Sequence, residues 1–354
     1  MEETKYMKTP KFLIIDGSSM LSTAYYGNLP KQILFAKTDE EKEKYYGKIL
    51  HTSQGVYTNA IYTMMRTLLN IYKKVHPDYV AFVFDKSRNT FRRTELGADF
   101  YKANRKSTPA PLKEQFVNME NLLEEIGCQV LYGDDYEADD YAASLVTKFE
   151  GPEIETYVIT KDHDYFQLVS QYTRMWRPMQ KDKCQELKDA YNIYADSAVS
   201  YQNIPDNMFE YTPEIVFEEE GVYPEEIVPM LAIAGDPGDG IPGCKGVAKP
   251  AAALIHEYKT IDNMYGYIDA CDGDTKQEKE LAKIWKEYLG ISRSPIKPLK
   301  ENRDDVYLSE KLACMKRDIP IEQNLEDFAT NINKNNLKEQ LKKYELNSLL
   351  DEIF

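Results

Sequence analysis

Four short apolar runs alternate with helical patterns through the first 160 residues, and this rhythm constrains the fold more than any other feature of the chain. Lys11-Phe12-Leu13-Ile14-Ile15-Asp16-Gly17 reads as a buried strand ending in a turn. A helical pattern follows Thr58 through Ile61, Met64, Met65, Leu68, Leu69 and Tyr72. Tyr79 to Asp85 is a second strand, Leu112 to Ile126 an amphipathic helix, and Gln129 to Tyr132 a third strand. Glu137 to Phe149 is helical, and Thr156 to Thr160 is a fourth strand. Strands that alternate with helices imply an α/β fold with a parallel, doubly wound sheet. After about residue 190 the strand signal fades. Two short helical patterns between Pro224 and Tyr258 flank a Gly-rich segment, and Lys- and Glu-rich stretches near 276–288 and 337–345 read as surface helices.

Three of the four strands end in acids. Asp16 closes the first and Asp85 the second, while Asp162 and Asp164 follow the fourth. In open α/β sheets, ligands bind outside the carboxyl ends of the strands. These acids therefore converge on one edge, joined by Glu137, Asp139 and Asp140 at the start of a helix. Each alone has an ordinary explanation: Asp16-Gly17 as a turn, the helix acids as partners of the macrodipole. Together they repel, and cations must neutralise them. Oxygen ligands without His or Cys suit Mg²⁺ or Mn²⁺ and not zinc, so His163 is expected to stand outside the ligand set. Two such cations about 4 Å apart can activate water and stabilise the leaving oxygen of a phosphodiester.

The net charge of −15 argues at first against a nucleic-acid partner. Its distribution reverses that argument. Nine acids belong to the candidate cluster, and others lie in runs such as Glu218-Glu219-Glu220 that read as solvated faces. Between Lys86 and Lys113, eight cations (Lys86, Arg88, Arg92, Arg93, Lys102, Arg105, Lys106, Lys113) face only Glu95 and Asp99. Such local contrast marks an anion-binding surface. The same stretch breaks the strand–helix rhythm, as long functional loops do. Five scattered cysteines without C-x-x-C spacing read as reduced thiols of a cytosolic protein. Met1 to Pro10 lacks an apolar signal stretch, and no run approaches a membrane span.

Taken in order, these residues resemble the 5′-nuclease, or flap endonuclease, family of bacteria and bacteriophages, which includes the 5′-nuclease domain of bacterial DNA polymerase I. The resemblance covers roughly residues 11 to 260. It rests on Ile14-Ile15-Asp16-Gly17, Thr58-Asn59-Ala60, Phe84-Asp85, Phe91-Arg92, Tyr101-Lys102-Ala103-Asn104-Arg105, Glu137-Ala138-Asp139-Asp140, Thr160-Lys161-Asp162-His163-Asp164, and Gly235-Asp236-Pro237-Gly238-Asp239 running into Ile241-Pro242-Gly243.

The resemblance implies a PIN-like catalytic domain over residues 8–190 with a helical arch near 86–111. A helix–three-turn–helix DNA-binding domain over 191–295 and a helical C-terminal extension over 296–354 would follow. It implies that Asp16, Asp85, Glu137, Asp139 and Asp140 surround one divalent cation, and that Asp162, Asp164 and Asp239, with Asp236 nearby, surround the other. Lys102 and Arg105 match active-site cations, a role their chemistry also fits. Arg92, Arg93 and Lys106 would meet DNA, and Tyr101 either stacks on a base or packs toward the core. Gly243, Lys245, Gly246 and Lys249 would grip duplex phosphates, with K⁺ a further ion of that loop. The implied partner is DNA with 5′ flaps, nicks or ends, or RNA primer–DNA hybrids, cut by a cytoplasmic monomer of a bacterial cell or phage-infected host in primer removal or repair.

The sequence departs from the family pattern in two places. Two glycines usually flank an aliphatic residue, with a lysine two positions later. Here Gly246-Val247-Ala248-Lys249-Pro250 replaces the second glycine by Ala248 and the lysine by Pro250, and Lys249 can supply the missing charge. The stretch from Pro30 to His51 is longer than the family's. Two other readings compete: a non-catalytic binder of DNA junctions, and a ribonuclease on a related PIN-like sheet. The intact acid set favours catalysis, and the basic segment with the Gly-rich module favours DNA junctions.

Overall fold

The computed structural model describes residues 9–191 and 204–353. The polar start of the chain (1–8), the opening of the second expected domain (192–203) and Phe354 lie outside the described residues.

Six strands form one sheet: β1 (Lys11–Asp16), β2 (Tyr79–Val83), β3 (Gln129–Leu131), β4 (Glu155–Ile159), β5 (Thr173–Pro178) and β6 (Met208–Tyr211). Their order is β3-β2-β1-β4-β5-β6, parallel throughout except for β6. Every residue of β1 is buried, as a strand covered on both faces requires. Its side chains alternate between two cores. Leu13 and Ile15 join Val80 and Phe82 on one face; Phe12 and Ile14 join Ala81 and Val83 on the other. Helices Gly17–Gly27, Asn59–Val75 and Ala110–Glu125 cover the first face, and Ala138–Phe149 covers the second.

The four expected strands are present, and β5 and β6 join them. Arg174 and Arg177 interrupt the apolar run of β5, and β6 has only four residues. Glu210 of β6 is buried because its carboxylate accepts from the Trp176 indole N–H at 2.7 Å. Neither strand carries the alternation that a sequence pattern needs.

The chain proceeds from β1 to one side and crosses to β4 on the other. The strand order reverses between them, and the crevice of such a sheet opens there, at the carboxyl ends of β1 and β4.

Beyond β6 the described chain is helical. Helices Ile227–Ala234, Ala251–Tyr258, Ile261–Asp269, Thr275–Tyr288 and Ile296–Glu301 enclose a third core that includes Ile255, Met264 and Trp285. The final segments return to the sheet. Leu337, Leu341, Tyr344 and Leu349 enter the first core, and Phe328 packs on Phe12 with ring centroids 5.4 Å apart. Residues 30–51 form two five-residue helices, Lys31–Phe35 and Asp39–Glu43, and a single 3₁₀ turn. Among the described residues no helix is long and apolar enough to cross a membrane, and all five cysteines are free.

Candidate active site

Residues at the strand ends are tied together before any ligand is considered. Asp16 caps the Gly17–Gly27 helix: its Oδ1 accepts from the Ser19 N–H at 2.9 Å, and its Oδ2 from the Thr160 hydroxyl at 2.7 Å. Ser18 Oγ accepts from the Asp85 N–H at 2.8 Å, and Asp85 Oδ1 accepts from the Ala138 N–H at 3.0 Å. These bonds link β1, β2, the end of β4 and the Ala138 helix at one edge. Gly17 permits the arrangement, since a Cβ there would lie 2.2 Å from the Phe84 ring. Ser18, Ser19 and Thr160 are positioning residues that the sequence reading missed; a hydroxyl run directly after Asp16-Gly17 was the available signal.

Among the described residues, two acid trios can each bring carboxylate oxygens within 4.8 Å of one another: Glu137, Asp139 and Asp140, and Asp164, Asp236 and Asp239. Asp85 reaches the helix of the first trio through the Ala138 N–H, its charge acts on Asp16, and Asp162 caps the turn that carries Asp164, accepting its N–H at 3.0 Å. Asp236, expected only nearby, is a full member of the second trio, and Asp162 is not. The His163 ring stacks on Phe166 with centroids 5.2 Å apart, outside both trios.

Crowding shows in the proton affinities. Burial, then the Asp85 charge, pushes Asp16 up to about 7 despite its two hydrogen bonds. Burial, then Asp162, Asp239 and Asp236, pushes Asp164 up to about 7. Asp139 is raised well above the carboxylate range by burial and by Asp140. Burial acts on Glu137 too, but Lys102 and Arg92 outweigh it and hold the group below its ordinary value.

Lys102 joins the two trios. Its Nζ lies 2.7 Å from Glu137 Oε2 and 3.5 Å from Asp239 Oδ2. Burial opposes its charge, yet the surrounding oxygens of Tyr101, Glu137, Asp139 and Asp239 keep it protonated. The residue sits at φ +51°, in the left-handed region that residues with a Cβ rarely adopt. Its N–H donates to the Asp239 carbonyl at 2.7 Å, which holds it there. Arg105, 47% exposed, also binds the Asp239 carboxylate.

Several expectations are corrected by burial. Arg92 is 1% exposed and cannot reach DNA. Its guanidinium grips Asp140 at 2.7 and 2.9 Å and donates to the Leu312 and Cys314 carbonyls at 2.9 and 3.2 Å. Asp140 thus pairs with Arg92 while its carboxylate also belongs to the first trio. Its Oδ1 also accepts from the Lys316 N–H at 2.8 Å and its Oδ2 from the Glu137 N–H at 3.0 Å, which fills all four lone-pair directions. Tyr101 takes the inward course: it is buried, and its hydroxyl donates to Glu137 at 3.1 Å. Arg93 braces the Tyr101 carbonyl through Nε at 2.9 Å. Gly243 is buried at φ +59°, its N–H donates to Ser309 Oγ at 2.9 Å, and a Cβ would strike the Gly235 backbone at 2.4 Å. It serves packing and not a phosphate. Lys106, Lys245, Gly246 and Lys249 are exposed.

The segment 86–111 forms one four-residue helix, Phe91–Thr94, followed by turns, in place of a helical arch. Anchoring explains this. Arg92 is drawn inward, Tyr101 and Ala98 pack with Ile241 and Leu312, and Arg88 donates to the Arg105 and Lys106 carbonyls at 3.0 and 2.6 Å. Too few residues remain between these points for a continuous helix.

The donor set fits hard divalent cations. Both trios offer only carboxylate oxygen, and the raised proton affinities of Asp139 and Asp164 reflect a local lack of positive charge. This has a consequence for the metal-free protein. Asp16 and Asp164 have folded values near 7 against 3.8 for the free side chain, so the stability they permit is full below about pH 4 and is lost as the pH rises through 7. The melting temperature in EDTA is expected to fall between about pH 5.5 and pH 8. Saturating Mg²⁺ should remove most of that fall. A melting temperature in EDTA that stays level or rises over this range would refute the crowding.

A model of the 5′-3′ exonuclease N-terminal resolvase-like domain matches residues 11–199, and one of the 5′-3′ exonuclease C-terminal SAM fold matches residues 222–336. The chain belongs to the 5′-3′ exonuclease family. Its two acidic clusters are able to hold metal. The 5′-3′ exonuclease of Aquifex aeolicus is 30% identical over 349 residues, covering 98% of this chain and 96% of that protein. DNA polymerase I of Bacillus caldotenax is 29% identical over 320 residues, covering 90% of this chain but only 29% of the polymerase. The chain thus spans about a third of the length of the DNA polymerase I relatives it matches. Among solved structures, T5 5′-exonuclease with bound divalent metal ions (zinc) shares this fold. Its TM-score is 0.54 at 17% identity, covering 95% of this chain and 98% of the other.

Proposed function

We propose that this family member is a structure-specific 5′-nuclease that hydrolyses DNA phosphodiesters at 5′ flaps, nicks and ends with two Mg²⁺ or Mn²⁺ ions. The observation that carries the reading is the pair of carboxylate trios bridged by Lys102 at the switch point of the sheet. Glu137, Asp139 and Asp140, with Asp16 and Asp85, would hold one ion, and Asp164, Asp236 and Asp239 the other. Two divalent cations so placed supply the positive charge that attacking and leaving oxygens need in an in-line displacement.

The chain's own residues contribute the rest. Lys102 places a fixed ammonium between the trios, where a phosphate bridging them would develop charge. Lys102 Nζ would be available to a phosphate if its Glu137 contact were given up to a bound cation. Arg105 can make the same exchange from Asp239. A cavity of about 720 Å³ opens beside Asp85 and Glu137, and its lining includes Lys86, Arg88, Lys106 and Lys113 together with Tyr26 and Phe116. Cations interleaved with aromatic rings suit a single strand, whose phosphates and bases both need partners. The 5′ strand would enter there.

A labelled 5′-flap duplex tests the proposal. Mg²⁺ should permit release of the flap, and EDTA should abolish it. Binding without cleavage in either Mg²⁺ or Mn²⁺ would make the protein a junction binder. Cleavage of single-stranded RNA in preference to the flap would make it a ribonuclease.

A further inference from the structure

We propose that the buried Tyr165 hydroxyl is a positioning group for the first cation, accepting a hydrogen bond from a water molecule of that ion's hydration shell. The inference rests on the two-cation reading above. Tyr165 is 2% exposed and packs in the second core. Its hydroxyl is enclosed, and among the described residues no polar atom lies within hydrogen-bond distance of it. A buried tyrosine ordinarily finds a partner for its oxygen. Phenylalanine would fill nearly the same space without stranding a polar group. The unpaired hydroxyl therefore needs a reason in its surroundings.

Those surroundings are the acid cluster. Tyr165 directly follows Asp164 in the 3₁₀ turn His163–Leu168. Burial raises the proton affinity of its hydroxyl most, and the charges of Asp16, Asp139, Asp162 and Asp85 follow in that order. Three of these four belong to the first ion's set, and they come from the end of β1, the segment after β2 and the first turn of the Ala138–Phe149 helix. The hydroxyl thus faces the edge where those elements meet. It feels each carboxylate, yet bonds to none. A water molecule can join polar groups that do not touch. The turn is also anchored. Gln167 Nε2 donates to the Asp164 and Ala313 carbonyls at 3.0 and 3.2 Å, and its Oε1 accepts from the Met315 N–H at 3.0 Å. A packed ring on such a turn cannot carry its oxygen to another partner without breaking these bonds.

The chemistry of a phenol suits the place. Mg²⁺ keeps several waters among its ligands, and its charge makes them strong donors. A further carboxylate would accept from such a water, but it would add to the crowding that already raises Asp16 and Asp139. A phenol accepts through an uncharged oxygen. Burial and the neighbouring acids keep Tyr165 uncharged.

Calorimetric titration of the full chain with Mn²⁺, without DNA, decides the matter. Tyr165→Phe should bind the ion about tenfold more weakly, a usual loss when an outer-shell partner of a metal site is removed. In EDTA its melting temperature should equal or exceed that of the wild type, because no hydrogen bond is lost there. Thr156→Val removes another buried hydroxyl without a partner, near the amino end of β4 and opposite the acid edge. It should leave Mn²⁺ affinity unchanged. Unaltered Mn²⁺ affinity in Tyr165→Phe overturns the proposal, and so does a lower melting temperature in EDTA, which would give the hydroxyl to the fold. An equal loss of affinity in Thr156→Val also overturns it. Wild type that binds no Mn²⁺ would remove the two-cation reading itself. Wild type that binds Mn²⁺ no more tightly than Tyr165→Phe would remove the role of the tyrosine alone.

Discussion

Replacing Asp164 by Asn is expected to lower flap cleavage in Mg²⁺ by about a thousandfold, while raising the melting temperature of the metal-free protein. The two effects have one origin. Asp164 shares its site with Asp236 and Asp239, and Asp162 adds further negative charge. Burial and these neighbours push its carboxyl up to about 7, so at pH 8 the ionised form is held against its preference. A shift of that size corresponds to about 4 kcal/mol, which partial exposure and solvent screening reduce to roughly 1–2 kcal/mol. Asn keeps the shape, removes the charge and recovers that energy. The melting temperature in EDTA at pH 8 should then rise by a few degrees, about 2–4 °C per kcal/mol for a chain of this size. Cleavage should collapse because a neutral amide is a poor ligand for a hard cation. A variant that cuts normally would remove Asp164 from the metal site. One that loses both activity and stability would show that the carboxylate is structural and the crowding unreal.

The sequence carried the parts of this molecule that depend on local pattern. The first four strands were legible because a strand buried on both faces must be apolar along its length. The edge strand β6 was not, because its burial depends on a Trp176–Glu210 hydrogen bond between strands distant in sequence. The acids were legible as a set, since each lies at a strand end or in the first turn of a helix. What the pattern could not assign was the task of each acid. Asp139 and Asp140 are adjacent and chemically identical, yet only Asp140 meets a guanidinium that lies 48 residues earlier in the chain. The density of positive charge between 86 and 113 pointed to an anion, but charge density does not reveal which cation turns inward. Arg92 does, and Tyr101 follows it; Lys106 remains outside.

Arg92→Met should destabilise the protein by about 3–5 kcal/mol, the usual cost of removing one partner of a buried ion pair. Methionine fills much of the space but leaves Asp140 fully buried with only the Glu137 and Lys316 N–H groups to balance its charge. The Leu312 and Cys314 carbonyls lose their donors at the same time, and with them the tie between the basic segment and the helix Arg303–Ala313. A fall in melting temperature of about 10 °C or more should accompany the loss. Arg92→Lys should recover little, because an ammonium cannot reproduce the paired bonds at 2.7 and 2.9 Å. Arg92→Met/Asp140→Leu should recover part of the stability, since the stranded charge is gone, but not all, because two backbone N–H groups then lack an acceptor. Thermal melts of the three variants separate this role from the one the sequence suggested. Were Arg92 a DNA contact, its replacement would leave the melting temperature unchanged and reduce only the salt-dependent affinity for DNA. The structural role predicts the reverse order: stability falls first, and cleavage follows because Glu137, which shares Arg92 with Asp140 at 3.3 Å, loses its fixed position beside Lys102.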